Sequence, residues 1–382
     1  MGRPEDQRVK IPALVHFTRL GYTYMSLKDK KRGVDYDPDT NIFYTLFVDA
    51  INRINGTELS IDDGKKIIEE LKIKLDNEDL GKSFFKILQE GYDDLQLIDF
   101  NRTSEKDRNS YVVVTELPYE NGDDNFRPDI VILINGMALS FVEVKRQNNR
   151  EGILVERERM TRRFSNPIYK KYVNITQFTV FSNNNEYDDT DIEPIQGAFY
   201  ASSNYGKMFF SKFREQRAEE LKKQITEIDP EVENFILTDT NLISIKGTPE
   251  YQSSITENSA TNRIISSLYT PERIIFILNY GLCYKTSTDK NGITTIEKHI
   301  MRYPQMFATL AIKDKLQAGV RKGIIWHTQG SGKTALAYSN VHYLRDYYQS
   351  IGKIAKFYFI VDRIDLATQA IVNELNNCTL TL

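Results

Sequence analysis

Apolar residues recur at helical spacing in the first part of the chain and later give way to short apolar runs. Helical spacing predicts amphipathic helices over residues 5–19, 41–55, 62–75 and 210–225. Runs rich in β-branched and aromatic residues predict strands over residues 111–117, 173–183 and 197–200. Helices followed by several sheet-forming runs predict a mixed α/β domain.

A tight hairpin is predicted in the middle of this region. Two apolar runs flank Asn135 and Gly136, a dipeptide that favours the left-handed backbone angles of a two-residue turn. If this pair forms the turn, the antiparallel register places Pro128 or Asp129 opposite Glu143. The hairpin therefore brings acidic residues that are distant in sequence to its open end.

The charged residues at that end are the candidate catalytic group: Asp129, Glu143 and Lys145. Glu143 and Lys145 lie on one face of the strand because side chains alternate. Buried charges are costly unless they pair or bind a metal. Two carboxylates, from Asp129 and Glu143, suit a hard divalent cation, and the lysine suits an attacking water or a phosphate. The alternative is an ordinary hairpin whose terminal charges are solvated.

Length, composition and charge indicate the class of protein and where it could bind nucleic acid. Its 382 residues suffice for two or more domains, and 40% hydrophobic with 27% charged content is typical of globular proteins. The net charge of −3 provides no overall attraction to nucleic acid. Residues 145–171, however, hold nine basic residues against three acidic ones. This segment is predicted to bind a phosphate backbone, although a solvated, ion-paired helix face is an equally open interpretation.

The sequence indicates neither a membrane protein nor a secreted one. No apolar run approaches the length of a membrane span, and the N-terminus is polar. Cys283 and Cys378 lie far apart, without a CxxC pair or a histidine cluster. A disulfide framework or a zinc site is therefore not expected, and a cytoplasmic location is.

A phosphate-binding loop is predicted near the end of the chain, between an apolar strand over residues 324–326 and a helix. Gly330 and Gly332 allow a tight loop whose N–H groups can cradle a phosphate. Lys333 would neutralise the β- and γ-phosphates, and the Thr334 hydroxyl would bind Mg²⁺. The predicted nucleotide-binding residues of this loop are Gln329, Gly330, Ser331, Gly332, Lys333 and Thr334.

A polar stretch rich in Thr, Asn and Ser separates the two motifs. It covers residues 238–262 and is predicted to connect one domain over residues 1–237 to another over residues 263–382.

Both motifs resemble those of known enzymes. Pro128-Asp129 followed after thirteen residues by Glu143-Val144-Lys145 resembles the PD-(D/E)xK nuclease motif. Residues 327–334 resemble the AxxGxGKT loop of superfamily 2 helicases, with His327 replacing the alanine. Gln305 resembles the adenine-reading glutamine of helicases, and residues 356–369 resemble their DNA-contacting motif Ia. In combination the chain resembles the restriction (R) subunit of type I restriction–modification enzymes.

The resemblance implies a fold and a function. It implies an N-terminal PD-(D/E)xK nuclease domain with a mixed sheet, then a partial RecA-like parallel-sheet domain that stops after motif Ia. It implies Mg²⁺ held by Asp129 and Glu143, a hydrolytic water positioned or activated by Lys145, and ATP bound at residues 330–334. The implied activity is cleavage of unmodified foreign DNA coupled to ATP-dependent translocation. The implied partners are double-stranded DNA and the methyltransferase (M) and specificity (S) subunits.

Some features of the family are uncertain in this chain. Glu5, at the start of the first helix, is a further candidate for the metal side of the site, or simply an acid that complements the helix dipole. The glutamine–tyrosine motif of many relatives is missing, and residues 157–161 occupy its place. The sequence contains no DEAx box after motif Ia, so we expect an N-terminal fragment that binds nucleotide without hydrolysing it quickly.

Two other functions share these motifs. One is a standalone helicase–nuclease of DNA repair or phage defence, which would need no methyltransferase partner. The other is a catalytically inert module that docks on DNA.

Overall fold

The computed structural model describes residues 5–101, 106–121, 124–149, 151–187, 196–206, 208–288, 292, 294–328 and 332–358. Its strands are β1 (Thr23–Tyr24), β2 (Tyr111–Thr115), β3 (Tyr119–Asn121), β4 (Asp124–Phe126), β5 (Ile130–Ile134), β6 (Met137–Val144), β7 (Phe178–Ser182), β8 (Ala198–Ser202), β9 (Ser211–Lys212), β10 (Leu282–Thr288) and β11 (Thr294–Ile300). Its α-helices are α1 (Ile11–Arg19), α2 (Tyr44–Asn55), α3 (Ile61–Leu75), α4 (Lys82–Glu90), α5 (Gly152–Phe164), α6 (Lys170–Ile175), α7 (Ala218–Lys222), α8 (Pro230–Asp239), α9 (Pro249–Ser254), α10 (Ala260–Tyr269), α11 (Pro271–Phe276), α12 (Tyr303–Gln317) and α13 (Lys333–Ser350).

A seven-stranded mixed sheet organises the first unit, in the order β1-β2-β5-β6-β7-β8-β9. The pairs β1–β2 and β6–β7 are parallel, and the other neighbours are antiparallel. The parallel step from β6 to β7 is made through α5 and α6, as a crossover requires. The predicted mixed α/β architecture is thereby confirmed.

Adjacent residues of β6 show which helices cover each face of the sheet. The Tyr269 hydroxyl, at the end of α10, forms a hydrogen bond of 2.8 Å with Ser140 Oγ. The next residue, Phe141, packs against Phe164 of α5 and Tyr172 of α6, with ring centroids 6.2 and 5.9 Å away. Because successive side chains of a strand point to opposite faces, α10 covers one face, and α5 and α6 cover the other. The sheet is therefore the middle of three layers.

The predicted hairpin turn forms at Asn135 and Gly136, which both have positive φ angles of 51° and 77°. The Asn135 side chain is fully buried, donates to the Leu97 carbonyl at 2.8 Å and accepts from the Ser110 N–H at 2.7 Å. Gly136 passes so close to the start of α2 that a Cβ would lie 2.7 Å from the Phe47 nitrogen. The dipeptide thus makes the turn and also fastens it to the surrounding chain.

Several predicted elements differ in the structure. Residues 170–175 form α6, so the strand expected over residues 173–183 begins only at Phe178. Asn174 explains this, because its buried amide donates to the Leu75 and Asn77 carbonyls at 2.8 and 2.9 Å and fixes the chain there. The helix expected over residues 210–225 is reduced to α7 because Ser211 and Lys212 pair with β8 instead.

The stretch predicted as a connection between domains is mostly helical. Residues 238–262 contain the end of α8, all of α9 and the start of α10. Their Thr and Ser residues cap helices: Thr248 accepts from the Tyr251 N–H, and Ser259 from the Asn262 N–H. Two compact units of the chain meet near residues 275 and 276, within α11. The assignment of nuclease and motor roles to residues 1–237 and 263–382 stays a prediction.

The second unit comprises residues 214–216 and 276–382. It contains the β10–β11 hairpin and the helices α12 and α13, which pack against each other. The strand predicted over residues 324–326 is not formed, and Ile324 and Trp326 are 92% and 89% exposed. A central strand of a parallel sheet needs neighbours for its backbone hydrogen bonds, and the described part of this unit offers only the β10–β11 hairpin. No described helix combines the length and apolar character needed to cross a membrane.

One buried histidine makes the first unit sensitive to acid. His16 of α1 is fully buried, and its Nε2 lies 2.7 Å from Ser266 Oγ of α10. Ser266 donates its own proton to the Asn262 carbonyl, so His16 Nε2 is the donor of that bond. Burial lowers the pKa of His16 to about 3. His16 is therefore neutral in the folded protein at ordinary pH.

Acidification is expected to destabilise the first unit through His16. In the unfolded chain this histidine binds a proton below pH ~6.5, whereas in the folded protein it stays neutral. The contribution of His16 to the free energy of unfolding is therefore fully present above that pH and is lost as the pH falls below it. Between pH 7 and pH 5 we expect a loss of about 2 kcal/mol. Urea unfolding at both values should measure it, with His16→Gln as the control that keeps a donor for Ser266 and cannot titrate. Equal pH slopes for the parent and the variant would contradict this assignment.

Candidate active site

A β-bulge decides which residue faces Glu143. From the turn outward, Ile134 pairs with Met137 and Leu133 with Ala138, a register that would bring Pro128 opposite Glu143. Leu139 is an extra residue in β6, because the next pair joins Ile132 to Ser140.

The shifted register continues to the open end of the hairpin. Ile130 pairs with Val142, so the next opposed positions are Asp129 and Glu143. Directly opposed residues of antiparallel strands share a face, and the bulge therefore turns the two carboxylates to the same side. Of the two registers that the sequence allows, the structure has the one that opposes Asp129 to Glu143.

Short contacts hold the three predicted catalytic side chains together. One carboxylate oxygen of Asp129, Oδ2, accepts a hydrogen bond of 2.9 Å from the Val144 N–H. Lys145 Nζ lies 3.6 Å from Glu143 Oε2. The Lys145 backbone N–H donates to the Ser182 carbonyl at 2.8 Å, which anchors it to β7. The structure thus brings Asp129, Glu143 and Lys145 into one cluster.

Burial sets the electrostatics of this cluster. Glu143 is only 4% exposed. Its burial raises its pKa well above the usual range, and the neighbouring Asp129 carboxylate raises it further. Burial alone would lower the pKa of Lys145, but the surrounding carboxylates, Glu143 and Glu156 foremost, outweigh it and raise that pKa. Negative charge is therefore in excess around the lysine, and the ammonium stays protonated at neutral pH.

Glu5 lies near the same cluster, just ahead of a π-helical turn over Asp6–Lys10 that leads into α1. Burial raises the pKa of Glu5, while the charge of Lys145 lowers it and that of Asp129 raises it. Nevertheless, among the described residues no three His, Cys, Asp or Glu side chains converge tightly enough to hold a metal ion together. Asp129 and Glu143, opposed at the open end of the hairpin, are the carboxylate pair that we consider for a cation.

The basic segment after Lys145 is largely engaged within the protein. Arg163 stacks on the Phe126 ring, with its guanidinium carbon 4.1 Å from the ring centroid. Lys170 Nζ pairs with Glu78 at 2.9 Å, and Arg159 with Glu156 at 3.4 Å. Arg159 and Arg162 remain exposed on α5. Several basic side chains of this segment thus have partners within the protein, and the binding of a phosphate backbone by residues 145–171 stays a prediction.

Sequence reasoning missed Glu156, which contacts the catalytic cluster from α5. Its Oε2 lies 3.3 Å from Lys145 Nζ, closer than Glu143 does. The need for a cationic partner follows from the burial of Glu156, and the arginine-rich sequence around it gives no sign of that burial. Sequence spacing could not identify that partner, since it lies on the preceding strand.

Within the described part of the predicted nucleotide site, Gln305 and Gly332 are in direct contact. The Gln305 side chain is buried, donates through Nε2 to the Gly332 carbonyl at 3.0 Å and accepts from the Arg302 N–H at 2.7 Å. Lys333 begins α13, and its Nζ lies 3.4 Å from the His327 carbonyl. The predicted helix after the loop is therefore present. Gln329, Gly330, Ser331, the side chain of Thr334 and residues 359–369 of motif Ia lie outside the described residues.

Comparison with known proteins gives a match for the N-terminal region of the chain and another for its C-terminal region. Residues 3–188 match the family model described as "Type I restriction enzyme R protein N terminus", and residues 298–381 match "Type III restriction enzyme, res subunit". A protein of Methanocaldococcus jannaschii named as the type I restriction enzyme MjaVIIP endonuclease subunit is 24% identical over 288 residues. That alignment covers 72% of this chain and 21% of the relative.

The first match includes the candidate catalytic residues Asp129, Glu143 and Lys145. The second match includes Gln305 and Gly332. The family that the sequence motifs resemble is thereby confirmed. The chain carries the N-terminal region of a type I restriction enzyme R protein, followed by a partial helicase-like region.

Proposed function

We propose that this chain is a Mg²⁺-dependent DNA endonuclease whose cleavage chemistry is carried by Asp129, Glu143 and Lys145. The observation that supports the proposal most strongly is the opposition of two carboxylates, one of them almost fully buried, beside a buried ammonium group. Two neighbouring acids repel each other in a medium of low dielectric constant, and a divalent cation compensates both.

The residues present fit Mg²⁺. This ion keeps several waters and is commonly held by one or two carboxylates together with substrate phosphates, so Asp129 and Glu143 are sufficient ligands. Glu5 is a further candidate on the metal side of the site, since its pKa responds to the charges of Lys145 and Asp129. When bound, Mg²⁺ would neutralise charge on the scissile phosphate and lower the pKa of a bound water.

Lys145 acts in this proposal as a fixed positive charge. Its raised pKa keeps the ammonium protonated at neutral pH, so it does not take a proton from water. Instead it donates hydrogen bonds that orient the water or stabilise the negative charge that develops on the phosphate. Of the two roles predicted for this lysine, positioning the water is the one that its environment favours.

The second region extends the proposal to ATP. Gln305, Gly332 and Lys333, with the undescribed loop residues between them, would bind ATP and Mg²⁺ and serve DNA translocation in the whole protein. We further propose double-stranded DNA and the M and S subunits as partners, in the cytoplasm. Co-purification with M and S subunits would separate this function from a standalone helicase–nuclease, which has no use for them.

Nicking of supercoiled plasmid tests the proposal and separates it from an inert docking module. The purified chain should nick DNA with Mg²⁺ and not with EDTA. Lys145→Met, which keeps the length of the side chain without its charge, should cut at least ~10²-fold more slowly. Equal cutting rates for the parent and this variant would show that Lys145 takes no part in cleavage. Binding without any cutting would favour the docking module.

A further inference from the structure

Lys145 has a second buried partner that does not belong to the candidate metal pair. Glu156 of α5 is buried, with 4% of its side chain exposed, and its Oε2 lies 3.3 Å from Lys145 Nζ. Glu143 lies 3.6 Å from the same nitrogen. The ammonium is therefore held between a carboxylate of the sheet and a carboxylate of the covering helix.

The contact with Lys145 matters more to Glu156 than its contact with Arg159. The Arg159 pair is an i,i+3 contact at 3.4 Å, and 58% of the Arg159 side chain is exposed. Exposed ion pairs on helices contribute little because water screens them. Lys145 is only 19% exposed, so its pair with Glu156 is better shielded from water than the Arg159 pair. Glu156 is thus placed to hold the lysine and not merely to stabilise the helix.

A bound cation would change the attraction of the two carboxylates for the Lys145 ammonium to different extents. Glu143 would share its charge with the metal, which weakens its attraction for the ammonium and adds a repulsive neighbour. Glu156 lies on another element and keeps its full charge for the lysine. Without it, the ammonium would be free to turn away from the metal and toward solvent.

We propose that Glu156 is the positioning residue that keeps the Lys145 ammonium at the reacting phosphate while Asp129 and Glu143 hold the cation. This inference rests on the proposed nuclease function and deepens it.

Glu156→Gln tests the proposal, because it keeps the shape of the side chain and removes its charge. At saturating Mg²⁺ we expect its single-turnover cutting rate to fall about 10-fold, as for other groups that orient site residues. The Mg²⁺ concentration for half-maximal rate should stay within about twofold, since neither metal ligand changes. Glu70→Gln, on the exposed side of α3 and outside the basic segment, is the matched control and should cut at the parent rate.

A second pair of variants separates positioning from a general structural role. Glu156→Asp keeps the charge and should cut faster than Glu156→Gln. In a Lys145→Met background, Glu156→Gln should cause no further loss, because its effect acts through the lysine. If Glu156→Gln cuts like Glu70→Gln, if Glu156→Asp is as slow as Glu156→Gln, or if the losses multiply in the Lys145→Met background, the positioning role is wrong while the nuclease function stands. A parent chain that does not cut at all overturns the proposed function and the positioning role together.

Discussion

Asp129→Asn is expected to abolish Mg²⁺-dependent cutting and, at the same time, to make the metal-free protein more stable. The asparagine carbonyl can still accept from the Val144 N–H, and its amide can donate to Glu143 where Asp129 now repels it. We expect the cutting rate to fall at least ~10³-fold through loss of the cation site. The free energy of unfolding should rise by on the order of 1 kcal/mol, as at other sites where function maintains strain.

Two measurements on the same samples check this pair of effects. Thermal unfolding with and without Mg²⁺ should show a metal-dependent stabilisation of the parent that the variant has lost. Asp229→Asn is the matched control, because this exposed Asp caps α8 and Asn caps helices equally well. A variant that keeps cutting, or that is clearly less stable than the parent without metal, would show that the two carboxylates do not oppose each other as described.

Gly136→Ala is expected to cause a large loss of stability in the first unit. The added Cβ would lie 2.7 Å from the Phe47 nitrogen and 2.9 Å from the Phe43 carbonyl oxygen, both backbone atoms that cannot turn aside. Positive φ, here 77°, adds roughly 1–2 kcal/mol for a residue with a side chain. Together we expect a loss of at least ~3 kcal/mol, measured by urea unfolding.

Gly56 offers a matched control for the strain of positive φ. Its φ is 68° at the end of α2, and a Cβ there would meet nothing within 4 Å. Gly56→Ala should therefore lose only the conformational part, roughly 1–2 kcal/mol. Equal losses at the two glycines would mean that the close approach of the turn to α2 contributes nothing.

The hairpin was predictable because its signals are local. Asn135 and Gly136 favour one turn type, and the apolar runs beside them match two buried strands. The register was predictable only to within one residue. Leu139 resembles the other apolar residues of β6, and the bulge arises as β6 fits between β5 and β7, with the Leu139 carbonyl accepting from Gln177.

Features that depend on distant packing were not predictable. Glu156 meets Lys145 only after α5 has folded back over the sheet. The polar stretch over residues 238–262 resembled a linker because its Ser and Thr residues cap short helices, while the few apolar residues that bury those helices, such as Ile245 and Tyr251, lie far apart. Conversely, the apolar run over residues 324–326 predicted a strand that has no neighbour to pair with in the described part of its unit.

Asp129 and Glu143 are proposed to form one cation site at the open end of the hairpin. The most direct test is a crystal of the chain grown with Mn²⁺, in which the ion is located by its anomalous scattering. We predict one strong peak between the two carboxylates, with Lys145 Nζ still beside Glu156. A peak elsewhere in the first unit, or Asp129 and Glu143 side chains that point away from each other, would contradict the account.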